Sequence, residues 1–259
     1  MKNFMSHEDA NPKLIKTGTG TGKYSVLSLS LAPADLSGVD ICPFRTAACT
    51  EGCLGHNSGH SVMGNNCANN RFEPNMVRDA RIFRTQTLTR FTANGRNAVA
   101  KIHNEIRLFV NRCAKKGVQP CVRMNAFSDL SWEVLWPELF TDFPVVQFYD
   151  YTKVPARMTN PNRPKNYHLT FSRSEENENI ALRMIRDRFG IAVIFGTDDV
   201  SKIPATWNGF PVVDGTADDY TFLSPPGTVR GLIWKGALSE TEYKISLANA
   251  LRSGFAVSV

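Results

Sequence analysis

The residues best suited to chemistry in this sequence are four cysteines that fall close together, between residues 42 and 67. Cys42, Cys49 and Cys53 have the spacing C-x6-C-x3-C, and Cys67 follows after thirteen further residues. Thiolate is a soft ligand that suits zinc and iron–sulfur clusters. The chain is long and begins with a polar stretch that does not resemble a secretory signal, so metal binding is a better interpretation of these cysteines than a disulfide framework.

The spacing leaves the identity of the metal open. Three cysteines in one loop suit a 4Fe–4S cluster, in which the fourth iron stays open to a small molecule. A structural zinc site needs four ligands, usually in two close pairs, and Cys67 or His56 is available as the fourth. A loop that binds no metal is the third alternative. Cys113 and Cys121 lie apart from this group, and we expect them to be buried structural thiols.

The charge of the chain is moderately positive. It has 30 Lys and Arg residues against 24 Asp and Glu, a net charge of +6, which is compatible with a nucleic-acid or phosphate-bearing partner. Arg78, Arg81 and Arg84 recur every three residues in a predicted helix. We interpret them as a candidate nucleic-acid-binding face, with a solvated helix surface as the alternative.

The composition excludes two classes of protein. Hydrophobic residues make up 42% of the chain and charged residues 21%, which excludes general disorder. No apolar run approaches the roughly 20 residues that a membrane span needs. We therefore expect a cytoplasmic protein with no membrane partner.

The elements that position these residues alternate along the chain. Strand patterns occur at residues 24–31, 119–125, 145–150, 166–172, 191–196, 210–214 and 229–234. Helical patterns occur at residues 74–91, 96–115, 131–141, 153–158, 175–189 and 239–252. This alternation predicts an α/β fold with a mostly parallel sheet, as a full or partial (β/α) barrel with a cysteine-rich loop after the first strand. A doubly wound open sheet is the alternative.

We expect one domain over residues 24–259, preceded by a flexible tail over residues 1–23. The tail includes the Gly/Thr-rich stretch of residues 16–23, which lacks the spacing of a phosphate-binding loop.

Polar residues follow several of the predicted strands. Ligands in parallel α/β folds bind at the carboxyl ends of the strands, so these residues together predict a binding site. They are Asn125, Ser128, Asp129, Tyr149, Lys153, His168, Ser172 and Asp214. Single members have simpler explanations: helix N-capping for Asp129 and Ser172, a solvated loop lysine for Lys153, and a satisfied core histidine for His168.

Several long motifs, in one order, resemble the phage gene product 88 family over about residues 14–236. They are KTGTGTGKY, SLSLAPADLSG, CPFRTAACTEGCLGHNSG, RMNAFSDLSWE, QFYDYTK, NYHLTFSRSE and VVDGTADD. A more distant resemblance is to radical-SAM enzymes, which carry a three-cysteine loop after the first barrel strand. SDL at 128–130, YTK at 151–153 and LTFS at 169–172 look like later motifs of those enzymes. Their usual cysteine spacing is C-x3-C-x2-C, from which this chain departs.

The distant resemblance implies a cofactor and roles for the site residues. Cys42, Cys49 and Cys53 would ligate a 4Fe–4S cluster whose open iron binds S-adenosylmethionine. An electron donor would drive cleavage to a 5′-deoxyadenosyl radical, and the barrel would orient and shield the reaction. Catalytic roles would fall to Asp129, Lys153 and Asp214, and cofactor binding to Asn125, Ser128, Tyr149, His168 and Ser172. The implied substrate is a nucleotide or a nucleic-acid base.

Two other functions are consistent with the sequence. One is a zinc-containing barrel transglycosylase that exchanges a modified base into DNA, with Asp129, Asp150 or Asp214 as the nucleophile. The other is a non-enzymatic phage protein that binds nucleic acid or a host factor and carries a structural metal. The identity of the metal separates the first from the iron–sulfur enzyme, and substitution of Asp129 and Lys153 tests the second.

Overall fold

The computed structural model describes residues 3–7, 22–57, 76–89, 93–235 and 240–259. Within these ranges the chain forms one sheet of nine strands. The strands are Met5–His7 (β1), Tyr24–Leu29 (β2), Gln119–Arg123 (β3), Gln147–Thr152 (β4), Tyr167–Ser172 (β5), Ile191–Phe195 (β6), Thr206–Trp207 (β7), Phe210–Asp214 (β8) and Val229–Ile233 (β9).

The helices of the described ranges follow most of the strands along the chain. They are Ala47–Glu51 (α1), Leu54–Asn57 (α2), Met76–Thr89 (α3), Ala93–Lys116 (α4), Trp132–Leu135 (α5), Glu138–Asp142 (α6), Pro155–Met158 (α7), Glu178–Arg186 (α8) and Glu240–Ser253 (α9). Among the residues described, no helix has both the length and the apolar character needed to cross a membrane.

The sheet has the order β1-β2-β3-β4-β5-β6-β9-β8-β7. Strands β2 to β6 are parallel neighbours in chain order, which is the order of a barrel and not of a doubly wound sheet, where the order reverses. The antiparallel strands β1 and β7 lie at its two edges. The predicted α/β class is therefore confirmed, but the described sheet is open, and a full barrel is not what these residues form.

Alternate residues give the sheet one apolar face. Leu27, Val122 and Phe148 lie on it and pack with Ile102 and Ile106 of α4 in the main hydrophobic core. In consecutive parallel strands the right-handed crossovers bring their helices to one side of the sheet. The apolar face is therefore the one that the helices cover.

The opposite face of the sheet carries both apolar and polar side chains. Residues 218–223, which follow β8, lie over it, and there Tyr220 packs with Tyr149. Asp219 forms a buried ion pair with Arg123. Burial lowers the pKa of Arg123, but the Asp219 carboxylate and the nearby Tyr149, Tyr151 and Asp150 together outweigh burial, and the pKa is raised. A buried charge on a strand is retained because it has a partner of opposite charge.

We expected a flexible tail over residues 1–23, but Met5–His7 forms a strand. This segment pairs antiparallel with β2, so the cysteines follow the second strand of the chain and not the first. Phe4 is buried, and the Glu105 carboxylate accepts the backbone N–H groups of Phe4 and Met5 at 3.1 and 2.8 Å. A three-residue strand is too short to show an alternating pattern. Residues 8–21, with most of the Gly/Thr-rich stretch, lie outside the described ranges.

Candidate functional site at the carboxyl edge of the sheet

The cysteine segment, residues 41–57, is attached to the loop that follows β3. The Asp129 N–H donates to the Ile41 carbonyl at 2.9 Å. The Cys42 thiol donates to the Phe127 carbonyl at 3.6 Å. Since β3 is parallel to its neighbours, this loop lies at the carboxyl edge of the sheet, where parallel α/β folds bind their ligands.

Local structure fixes the second cysteine of the segment. Thr46 is the N-cap of α1, and its hydroxyl accepts the Cys49 N–H at 3.0 Å. Gly52 ends this short helix in close contact with the indole of Trp234, which follows β9. The segment is thus held from both ends of its first helix.

The three thiols of the segment are close enough for their charges to interact. Burial raises the pKa of the Cys42 thiol to about 12, and the charges of Cys53, Cys49 and Asp129 act in the same direction. Cys53 in turn lies near the Arg81 guanidinium. None of the described cysteines forms a disulfide. The fold therefore gathers the three cysteines that the sequence singled out.

Lys153 faces the thiols from the end of β4. Its ammonium donates to the Ser172 hydroxyl at 3.2 Å, and its backbone N–H donates to Asp129 Oδ2 at 2.7 Å. Burial lowers the pKa of Lys153, but the negative groups around it, chiefly Cys49 and Asp129, together outweigh burial, and the pKa is raised. A fixed ammonium beside Cys49 can hold an anionic ligand.

Asp129 is held by a second cation. Arg157 Nη1 donates to Asp129 Oδ1 at 2.8 Å. The same guanidinium donates two hydrogen bonds to the Glu133 carboxylate, at 2.8 and 2.9 Å, and one to the Tyr167 hydroxyl at 2.8 Å. Paired bonds of this kind fix orientation. The arrangement makes Asp129 a positioning residue for Lys153 and leaves it poorly placed to act as a nucleophile.

The capping alternative is wrong for both residues for which we considered it. Helix α5 begins after Ser131, whose side chain makes no capping bond, and Asp129 instead binds Lys153 and Arg157. Helix α8 begins after Asn177, and the Ser172 hydroxyl accepts from Lys153.

Asn125 and Ser128 shape the loop after β3. The Asn125 side-chain oxygen accepts from the Ser128 hydroxyl at 2.7 Å and from the indole N–H of Trp132 at 3.0 Å. Its amide donates to Asp150, which also accepts the Asn125 N–H at 2.7 Å and the Tyr167 hydroxyl at 2.7 Å. Burial raises the pKa of Asp150 to about 7. These bonds give Asn125 and Ser128 a loop-forming role, and their cofactor-binding role stays a prediction.

Three predicted site residues lie away from the thiols. Tyr149 and His168 are paired across β4 and β5. Tyr149 lies four residues before Lys153, and His168 lies four residues before Ser172, which is roughly 13 Å along each strand. Asp214 ends β8, which is three strands from β5, roughly 14 Å across the sheet. Its exposed carboxylate accepts the N–H and hydroxyl of Thr216, both at 2.7 Å. Their predicted roles in the site therefore stay predictions.

The predicted nucleic-acid-binding face of α3 is also corrected. Arg81 is only 5% exposed, and it donates to the Gly55 carbonyl at 3.4 Å while its guanidinium lies 4.3 Å from the Phe127 ring. Arg84 is half-buried and donates to the Asn3 carbonyl at 2.9 Å, and Arg78 lies beside Asp79. Arg81 therefore anchors the cysteine segment, and α3 does not present three arginines to solvent.

A fourth metal ligand is not identified. Cys67 lies outside the described residues, and so does the side chain of His56. In the described part of the chain, no group of three or more His, Cys, Asp or Glu side chains has the arrangement of a metal site.

Sequence reasoning missed two partners in the site, Glu133 and Tyr167. The signal that could have found them is charge: Arg157 follows Lys153 closely, and two adjacent cations in a buried loop need carboxylates. Only the tertiary structure selects which carboxylates these are.

Searches of curated proteins and of solved structures find no match to this chain. The family model described as gene product 88 matches residues 5–257, almost the whole chain. The match includes every strand and helix of the site described above. The chain therefore belongs to the gene product 88 family.

Proposed function

We propose that the protein is an iron–sulfur enzyme whose cluster is held by Cys42, Cys49 and Cys53. The observation that carries this proposal is the convergence of three cysteines with a half-buried lysine at the carboxyl edge of a parallel sheet. Purely structural zinc sites are usually closed by four ligands. Three thiols from one segment suit a cluster that keeps one iron open.

The surroundings of the thiols support this donor set. Three thiolates bring a large negative charge into a half-buried site, and that charge needs cations. Lys153 supplies one beside Cys49, and Arg81 supplies another near Cys53. A bound cluster would supply electron transfer and, with S-adenosylmethionine at its open iron, radical chemistry.

The chain's own residues would prepare the site for a substrate. Ser172 and Asp129 fix the position of Lys153, whose ammonium can bind a carboxylate or phosphate group. Arg157 and Glu133 keep Asp129 in place. The Asn125 network holds the loop that carries Asp129, so each layer of contacts orients the one nearer the thiols. A nucleotide or nucleic-acid base is the proposed substrate class.

The metal content of the protein tests the proposal. The chain is purified without oxygen and its iron, acid-labile sulfide and zinc are measured per chain, together with visible absorption. We expect iron and sulfide in equal amounts and a broad visible shoulder. Alanine at Cys42, Cys49 or Cys53 should remove most of both.

Cys113→Ala is the matched control, because Cys113 is buried in the core on α4 and lies apart from the segment. It should keep wild-type iron and colour. One zinc per chain without iron would contradict the proposal and favour the transglycosylase alternative. Equal loss of iron in the Cys113 control would show that the three ligands are wrongly assigned.

A further inference from the structure

A second polar site lies at the opposite edge of the sheet from the thiols. A cavity of about 410 Å³ opens at the amino ends of β4 and β5, and a second of about 350 Å³ opens beside it at β2 and β3. Both are lined by Gln147 and Phe222 and so form one continuous groove, the amino-edge groove. The volume of the larger cavity is in the range that ordinary ligands occupy.

The charge of this groove has one sign. Lys23, Arg163 and Lys165 line it, and among its described lining residues there is no Asp or Glu. The amides of Gln119, Gln147 and Asn160 add hydrogen-bonding groups. Three cations without a carboxylate favour an anionic ligand, and the side-chain amides can donate to and accept from its polar edges.

The floor of the groove is aromatic. Phe222 is half-buried, and its ring lies 5.5 Å from those of Tyr24 and Tyr149 and 5.6 Å from that of Tyr220. This packing holds the ring in one orientation while part of it lines the groove. A rigid aromatic ring beside cations is the arrangement on which proteins stack the bases of single-stranded nucleic acid.

His168 completes the groove with a neutral ring. Its imidazole is half-buried beside the cations, and it hydrogen-bonds Thr170 at 3.4 Å. It therefore adds a hydrogen-bonding group without adding charge. A neutral donor and acceptor beside a stacking ring suits the edge of a base better than it suits a bare inorganic anion.

We propose that the amino-edge groove binds single-stranded nucleic acid, with a base on Phe222 and the phosphates along Lys23, Arg163 and Lys165. A duplex conceals the faces of its bases, so it cannot use the aromatic floor. The site goes beyond the proposed iron–sulfur function and does not depend on it. Gln147 begins β4 and Lys153 follows its end, which places the two sites roughly 20 Å apart.

Fluorescence anisotropy of a labelled oligothymidylate of about 10 nucleotides, a typical site size, tests this proposal. Phe222→Leu keeps an apolar side chain over the tyrosines but removes the stacking ring, and we expect its Kd to rise about tenfold. Phe83→Leu, on the exposed face of α3, is the control and should bind like the wild type.

The charge of the groove is tested separately. Lys23→Glu with Lys165→Glu should weaken binding and reduce the dependence of the Kd on salt, because fewer phosphates are neutralised. Lys202 is an exposed lysine after β6, and Lys202→Glu is the matched control. It should leave the Kd and its salt dependence unchanged.

Three results would overturn the proposal. The first is that Phe222→Leu binds the oligonucleotide as tightly as the wild type. The second is that a duplex of the same length binds more tightly than the single strand. The third is that polyphosphate competes fully with the oligonucleotide while Phe222→Leu has no effect. The last would identify an anion site without base recognition. Because the alanine variants of Cys42, Cys49 and Cys53 should bind the oligonucleotide normally, loss of the cluster and loss of the groove can be told apart.

Discussion

His168 shows how its neighbours change the chemistry of a single residue. Burial lowers the pKa of its imidazole to about 4, and the positive charges of Arg163 and Arg230 act in the same direction. The ordinary pKa of this group is 6.5. Between these two values the unfolded chain takes up a proton that the folded chain does not, so this residue destabilises the fold as the pH falls through that range.

We therefore predict that the free energy of unfolding falls from about pH 7 to about pH 5 more steeply in the wild type than in His168→Gln. Glutamine keeps a polar side chain on the same strand but does not titrate. Urea unfolding at both pH values measures the change in the free energy of unfolding for each protein. The contribution of other groups cancels when the two changes are subtracted. Parallel pH dependences for the two proteins would contradict this account.

At the residue scale, sequence reasoning found the members of the site but not their partners. Lys153, Asp129 and Ser172 were all expected at the carboxyl edge, and the structure brings them together. Sequence reasoning could not foresee that Arg157 would bind Asp129, since that pairing depends on how α7 packs. Nor could it separate Asn125 from these residues, because a loop-forming amide and a ligand-binding amide look alike in a sequence.

At the element scale, the cysteine segment is held by unusually close contacts of two glycines. A Cβ atom at Gly52 would lie 2.5 Å from the Trp234 ring, and one at Gly55 would lie 2.8 Å from Pro33 and 3.1 Å from Phe127. These neighbours are large, packed groups. Only a residue without a side chain allows the backbone to approach them so closely.

Gly52→Ala and Gly55→Ala should each destabilise the protein by about 1–3 kcal/mol, the usual cost of overpacking. Both should also make the cysteine segment easier to cleave in limited proteolysis. Gly190→Ala is the control, because no atom lies within 4 Å of its added Cβ and its φ is not positive. If all three variants unfold at the same urea concentration, close packing does not hold the segment.

The elements that sequence periodicity predicted are those with long, regular patterns. All seven predicted strands are present, although β4 begins two residues later than expected, at Gln147. The predicted helix over 131–141 is divided at Pro137, which lacks the N–H needed to continue α5. Helices α1 and α2 were missed, because four or five residues are too few to show a helical period.

At the scale of the whole molecule, one sheet separates two different chemistries. Its carboxyl edge carries the thiols and Lys153, whereas its amino edge carries the cationic groove around Phe222. The parallel order of β2 to β6 produces this separation, because every strand then starts at one edge and ends at the other. Sequence patterns predicted a site at the carboxyl edge from the cysteines. They could not predict the groove, because it forms only where residues 218–223 cross the face of the sheet opposite the helices.

The open sheet also makes the molecule dependent on its first strand. Without β1, the pairing edge of β2 and the apolar groups beneath it would be exposed. An exposed edge strand is a template for association with another chain. Phe4 is one of the largest fully buried side chains, so its loss would also leave a hole in the main core.

Removal of residues 1–7 should therefore lower the free energy of unfolding by at least the roughly 3–5 kcal/mol typical of a deleted core phenylalanine. Size-exclusion chromatography should show higher oligomers, because β2 becomes an edge. Phe4→Ala keeps the backbone pairing of β1, so it should be destabilised but remain in the wild-type oligomeric state. Removal of Val259, which is exposed, is the control for terminal truncation. A truncated chain with wild-type stability and size would mean that these residues are a dispensable tail after all, and that β2 tolerates exposure of its edge.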